Sequence, residues 1–367
     1  MRGDNQVGKN LLAVSISPVE SRGRAVKSSC IFGGSATKRH AGDTQMKTGI
    51  ADVAFAQFTV LVGLLSGAPI VAQAADLNGL NVDLNTLRPS YLSAPDNLQS
   101  EDPSPVADYF AHWFDRVDQA RASQPHWQTP LATSTPRLTQ EIVSNVLLEQ
   151  LGNGANLYNF GGGKGLDLIP TTTNQISFYA PPYLVRTDVD PAHGLGDWPF
   201  FLIKQRLLSA NEENGNYIVT AFVSGQAPIG DEAFTNHAYV ITPTLAAGKG
   251  WGNFDIQASV AVPVPVEFED KIGTSLASNL ALQYHFAKYF WPEFEFNDTY
   301  WFDGERGGKD QLFLTPGIIF GPFPISQRVK LNFGVGYQFA VLPTKLTLEP
   351  LTPMYNHAVL FTSRVDF

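Results

Sequence analysis

The chain has 367 residues, of which 16% are charged, 44% hydrophobic and 12% aromatic. Mean hydropathy is nevertheless near zero, at -0.07, so uncharged polar residues dilute the apolar ones, as in a protein with one face in oil and one in water. Charged residues fall short of the roughly 25% of ordinary globular domains, and a net charge of -9 excludes the cationic surface that a nucleic-acid backbone requires.

The charge is unevenly placed. Residues 1–75 carry a net +4 and residues 76–367 a net -13. Residues 1–45 read as a leader or an over-extended start, and 46–74 as a signal peptide. Met46-Lys47 opens that peptide, Phe58–Leu65 is its apolar run, and Ala72-Gln73-Ala74 gives a small-x-small cleavage site. The single cysteine, Cys30, lies in the leader, so the exported chain has no disulfide or thiolate metal site. No later stretch reaches the roughly 18 apolar residues of a transmembrane helix.

Residues 75–136 read as a linker with one short amphipathic helix. Ser104 is placed to cap it and Pro105 to occupy its first turn. Val106, Phe110, Trp113 and Val117 share one helical face. A foot, or a helix packed on the end of a barrel, is preferred for this helix over a plug, and whether the rest of 76–136 enters the barrel is left open.

Beyond Arg137 the hydrophobic period becomes two. Val329, Leu331, Phe333, Val335, Tyr337 and Phe339 alternate with Lys330, Asn332, Gly334, Gly336, Gln338 and Ala340. Similar runs lie around Phe254–Val262 and Leu280–Phe286, each with one oily and one polar face. Twelve strands are expected near 138–150, 156–168, 174–186, 198–208, 216–227, 237–247, 253–263, 275–287, 292–302, 310–320, 328–341 and 357–367. The first is ambiguous with a helix. Connections alternate between short and long, and an even strand count returns both ends to one side. The fold expected is all-β: an antiparallel transmembrane β-barrel of about twelve strands over 137–367, with a short N-terminal helix.

Alternation also assigns the inner face. The lumen-lining candidates are Lys204, Arg206, Asp255, Gln257, Gln283, His285, Glu293, Glu295, Asn297, Lys330, Asn332, Gln338 and Arg364. The cations could face Asp255, Glu293 and Glu295 to set a transverse field, or pair with them and fill the barrel. A symmetric turn at 288–292 would set His285 opposite Glu295 and Gln283 opposite Asn297, and would send Asp298 outward. Gly161-Gly162-Gly163-Lys164-Gly165 and Gly248-Lys249-Gly250 fail the phosphate-loop pattern and read as glycines of a curved sheet or tight turn. Asp188, Asp190, His193 and Asp197 form an acidic loop without EF-hand spacing. No catalytic residue, metal or cofactor is assigned.

Phe367 ends the chain, with Val365 and Phe361 on its face. This resembles the C-terminal assembly signal of bacterial outer-membrane proteins. The run Gln124-Pro125-His126-Trp127-Gln128-Thr129-Pro130-Leu131 and Pro136-Arg137-Leu138 resemble an outer-membrane β-barrel transporter family grouped with the meta-cleavage pathway of phenol degradation. So do Gly161–Leu166, Leu207–Glu212 and Ile241–Thr244. The resemblance covers about residues 105–367 and implies a barrel passing small aromatic or apolar molecules. The function expected is a non-enzymatic outer-membrane channel or transporter. Its partners would be outer-membrane lipids and lipopolysaccharide, the barrel-assembly machinery and a small-molecule solute. The alternatives are an outer-membrane enzyme acting on lipid or lipopolysaccharide, and a structural barrel with a plugged lumen.

Overall fold

A computed structural model describes residues 104–161, 164–342 and 355–367. The leader and signal peptide assigned from sequence lie outside the described residues. Two short helices come first, α1 (Pro105–Ala111) and α2 (Trp113–Ala122). The Ser104 hydroxyl caps α1 by accepting from the Ala107 N–H at 3.2 Å, with Pro105 in the first turn. His112 leaves helical geometry (φ -98°, ψ 19°) and splits what the sequence presents as one helix.

Sixteen strand segments follow. They are β1 (Glu141–Gln150), β2 (Asn156–Phe160), β3 (Gly165–Thr171), β4 (Asn174–Tyr179), β5 (Tyr183–Thr187) and β6 (Ala192–Leu195). Next come β7 (Trp198–Ala210), β8 (Tyr217–Ala227), β9 (Val240–Trp251), β10 (Phe254–Ala261) and β11 (Val264–Pro265). The last five are β12 (Ser275–Tyr284), β13 (Phe290–Trp301), β14 (Asp310–Pro324), β15 (Lys330–Leu342) and β16 (His357–Asp366). Four segments continue a neighbour along the same line, so the sheet has twelve staves, every neighbouring pair antiparallel. Ten residue pairs, from Glu141–Asp366 to Gln150–His357, join β1 to β16 and close the barrel. Closure leaves no free edge along this seam.

The interruptions have local causes. Pro181 and Pro182 separate β4 from β5, and Pro199 lies where the β7–β8 register shifts between Trp198 and Phe201. Proline has no N–H to give a ladder. The first stave begins at Glu141 rather than 138, because Leu138 is 1% exposed and packs with Val117, Ala120 and Ile169. Short turns at 172–173, 211–216, 252–253, 285–289 and 325–329 mark one end, and longer connections such as 228–239 and 302–309 mark the other. These are called the turn end and the loop end below.

Inner and outer faces differ as the alternation requires. Ile203 (46% exposed), Phe333, Tyr337 and Phe361 point outward. Toward the turn end, Trp251 stands opposite Phe254 and Phe254 opposite Tyr284. Further round the wall, Phe290 stands opposite Phe320 and Phe320 opposite Phe333. These rings form an aromatic girdle on the outside of the barrel. Val365 and Phe367 are half-buried at the turn end.

Candidate functional site: a segment threaded through the lumen

Residues 124–136, which the sequence presents as linker, run inside the barrel, and 137–140 lead from there into β1. Only α1 and α2 lie at its end, where Tyr109 Oη donates to the Pro170 carbonyl at 2.9 Å and Arg328 forms an ion pair with Asp118. The helices thus lie where a foot or end-packed helix is expected, and the stretch after them, on which the sequence makes no choice, is what enters the lumen. The reason is steric as much as polar. A Cβ added at Gly248 or Gly250 would come within 2.5 and 2.8 Å of the Trp127 ring. One at Gly317, Gly334 or Gly336 would come within 2.4 to 2.6 Å of the Leu131 side chain. Five inward glycines thus make two cradles, and Trp127 (4% exposed) and Leu131 (8%) fill them.

The wall grips this segment largely by its backbone. Glu293 Oε1 accepts from the Leu131 N–H at 3.1 Å. Both oxygens of Glu295 are used, by the Ala132 N–H at 2.9 Å and the Thr133 N–H at 2.6 Å. Lys204 Nζ donates to the carbonyls of Thr135 and Arg137, each at 2.9 Å. Arg364 donates to those of Thr129 at 2.5 Å and Pro130 at 2.9 Å. Gln257 Nε2 donates to the Gln128 carbonyl, and its Oε1 accepts from Thr135 Oγ1, both at 2.8 Å. Arg206 donates to the Ala120 carbonyl at 2.8 Å, adding a cation at the C-terminus of α2. A Pro-containing irregular segment cannot satisfy its own backbone, and a buried unpaired carbonyl or N–H costs about 1–3 kcal/mol. Polar wall side chains supply the missing partners.

The remaining candidates fall around this grip. Asp255, Gln283 and Asn332 are buried on the inner face, Gln283 donating to Glu293 at 2.7 Å and Asn332 to Asp366 at 2.9 Å. Asn297 and Gln338 lie nearer the loop end, joined at 3.1 Å. Lys330 has inward parity but is exposed at the rim. Lys204, Arg206 and Arg364 point at backbone carbonyls, and Glu293 and Glu295 accept from backbone N–H groups of the threaded segment.

His285 is placed differently from the symmetric-turn expectation. Ala287 and Lys288 adopt positive φ, of 47° and 65°, and Phe286 bridges to Phe290. The strand therefore starts earlier, at Phe290, and Gln283 pairs with Glu293, Ala281 with Glu295 and Asn279 with Asn297. His285 instead stacks on Trp291, ring centroids 4.0 Å apart. Asp298 keeps register with Ser278 and Leu312 without a bulge and is buried. In the acidic loop, Asp197 is buried and accepts from the Asn236 N–H at 2.8 Å, while Asp188 accepts from Asn156 Nδ2 at 2.8 Å. Among the described residues no acidic or histidine cluster could hold a metal.

The sequence reading missed the threaded segment itself. Its signal was the glycine placement: Gly248 and Gly250, and Gly334 and Gly336, recur at alternate inward positions where a wall facing only water has no need of them.

No protein-family model and no curated protein matches the chain. Among solved structures, an outer membrane channel from Pseudomonas putida F1 is 13% identical with a TM-score of 0.42, over 62% of this chain and 96% of that one. The NanC porin is 6% identical with a TM-score of 0.41, over 62% and 98%. OmpF of Salmonella typhi, complexed with daunomycin, is 12% identical with a TM-score of 0.32, over 62% and 96%. The barrel assignment rests on this chain's own closed ladder. The resemblance to transporters grouped with phenol degradation is carried by the motif residues alone.

Proposed function

We propose that the protein is an outer-membrane channel for small molecules whose resting lumen is occupied by the segment 124–136. The observation that carries this reading is the pairing of an apolar, aromatic-girdled outer wall with a polar inner one. In water the exposed outer rings would be a large aggregation-prone patch, whereas in a bilayer they sit where aromatic girdles meet the headgroups. The localisation follows from the same wall, and Phe361, Val365 and Phe367 would serve as the assembly signal. Because the wall holds the segment by backbone atoms, water can replace each bond when the segment shifts.

A structural barrel with a permanently filled lumen is the second reading, favoured by the density of those bonds. The enzyme reading gains no geometry, since His285 is stacked on Trp291 and His126 is bound to Glu212. The test is a thiol pair. Thr133 Oγ1 and Asn297 Nδ2 are 3.3 Å apart, so Thr133→Cys with Asn297→Cys can be joined through two disulfides by a short bis-methanethiosulfonate, methanesulfinate leaving from each end. In planar bilayers and solute-loaded liposomes the unlinked protein should conduct and the linked protein should not, with reduction restoring passage. No conductance and no uptake in either state would overturn the channel.

A further inference from the structure

Above the threaded segment, toward the loop end, the lumen opens into a cavity of about 460 Å³ floored by Leu131 and Ala132. Its chemistry differs from that of the grip below. Five carboxamides line it, Asn145, Asn159, Asn279, Asn297 and Gln338, and no side chain of formal charge does among the described residues. The inward carboxylate of β1, Glu149, does not line the cavity but stands behind it, one inward position beyond Leu147, hydrogen-bonded to the Asn159 side chain.

The amides are arranged in two ways. On the β12–β15 wall they are wired together and held still. Asn297 Nδ2 donates to Asn279 Oδ1, and Gln338 Nε2 donates to Asn297 Oδ1, both at 3.1 Å. Across the lumen, on β1 and β2, the Oδ1 atoms of Asn145 and Asn159 have no hydrogen-bond partner. An unpartnered buried amide oxygen is costly, so a guest that donates to it would gain. An apolar platform completes the wall: Phe313 and Tyr355 stack with centroids 4.8 Å apart and an interplanar angle of 23°.

We propose that this cavity binds an uncharged, polyhydroxylated ring of about monosaccharide size. Each carboxamide both donates and accepts, which matches a hydroxyl, itself donor and acceptor. Several amides around one cavity call for several hydroxyls, more than a simple phenol carries. The stacked rings suit the C–H face of such a ring. A carboxylate ligand would be desolvated here with no counter-charge. The proposal deepens the channel reading by naming a solute class, but binding is measurable without passage.

Saturation-transfer NMR on the full chain in detergent would use methyl β-glucopyranoside, glucuronate and phenol as probes. The glucoside should bind, and glucuronate should bind at least about tenfold more weakly, which is about 1.4 kcal/mol. Asn145→Leu and Asn159→Leu, each checked for intact heat-modifiable gel mobility, should lose glucoside binding by a similar factor. Lys330→Gln, exposed at the opposite rim, should not change it. Phenol binding without glucoside binding would overturn the proposal, as would equal binding of glucoside and glucuronate. Glucoside binding with no conductance would sink the channel reading while leaving this site standing.

Discussion

At the scale of single residues, function follows from what is missing as much as from what is present. Gly248 lacks a side chain where Trp127 lies, and its β-carbon would stand 2.5 Å from Cζ3 of a rigid ring. Gly248→Val should therefore expel the ring, with an overpacking cost of about 1–3 kcal/mol if the segment stays. The expected outcome is a folded barrel with the segment released. Trypsin should then cut after Arg121 or Arg137 in the variant and not in the parent. Continued protection in Gly248→Val would mean that Trp127 does not anchor the segment. Leu131 and its cradle at Gly317, Gly334 and Gly336 repeat the device on another part of the wall. The pattern was legible only once the guest was known, because a strand glycine also marks a bulge or a bend.

At the scale of elements, the turn between β7 and β8 fastens the segment to the turn end. Glu212, in the short 3-10 turn Glu212–Asn214, accepts from the His126 N–H at 2.6 Å and meets its Nδ1 at 2.9 Å. Burial pushes the Glu212 carboxyl up, but the His126 backbone and ring bonds outweigh it and hold the group below its ordinary range. A carboxyl depressed in the folded state stabilises above its unfolded value, about 4.3, and that contribution is lost as pH falls through the folded value. Acidification below about pH 4 should therefore loosen the His126 end of the segment before the barrel opens. Protection of the His126 amide, its exchange rate relative to the intrinsic rate at the same pH, should be lost there, and Glu212→Gln should show the low protection at neutral pH as well. Equal protection in both proteins at both pH values would remove this turn from the anchoring. Elements also explain the register of β13. Two non-glycine residues at positive φ make the 285–289 turn tighter than symmetry suggests, and Phe290 and Trp291 join the strand.

At the scale of the whole molecule the lumen has two tiers, a charged one holding a backbone and a neutral one above it. Buried acids on the inner face, Glu141, Glu149, Asp167, Asp255, Glu293 and Glu295, outnumber the buried cations Lys204, Arg206 and Arg364. With the segment in place these groups are spent on hydrogen bonds and desolvated. Without it, water enters a lumen whose wall carries more acidic than basic side chains, a field that favours cations. A chain lacking residues 104–136 should conduct more than the full chain and prefer cations over anions. Reversal potentials in a salt gradient measure this, and anion preference would refute the account.

The sequence by itself determined the barrel and its sidedness. A period of two with apolar residues on one parity leaves little alternative to a sheet with one oily face. The alternation of short and long connections pointed to about twelve strands with both ends on one side, and the closed ladder makes the number twelve. The sequence also picked the inward parity of Lys204, Glu295 and Arg364, since parity along a strand is local. Only the tertiary structure decided what those residues hold. Whether Glu293 faces a cation across the lumen or a backbone N–H depends on chain arriving from more than 150 positions away, and nothing periodic marks a Pro-rich stretch as guest rather than linker. The same limit applied to His285, whose partner was set by a turn two residues off symmetry. Local spacing fixes which way a side chain points, and only the closed barrel determines what it meets there.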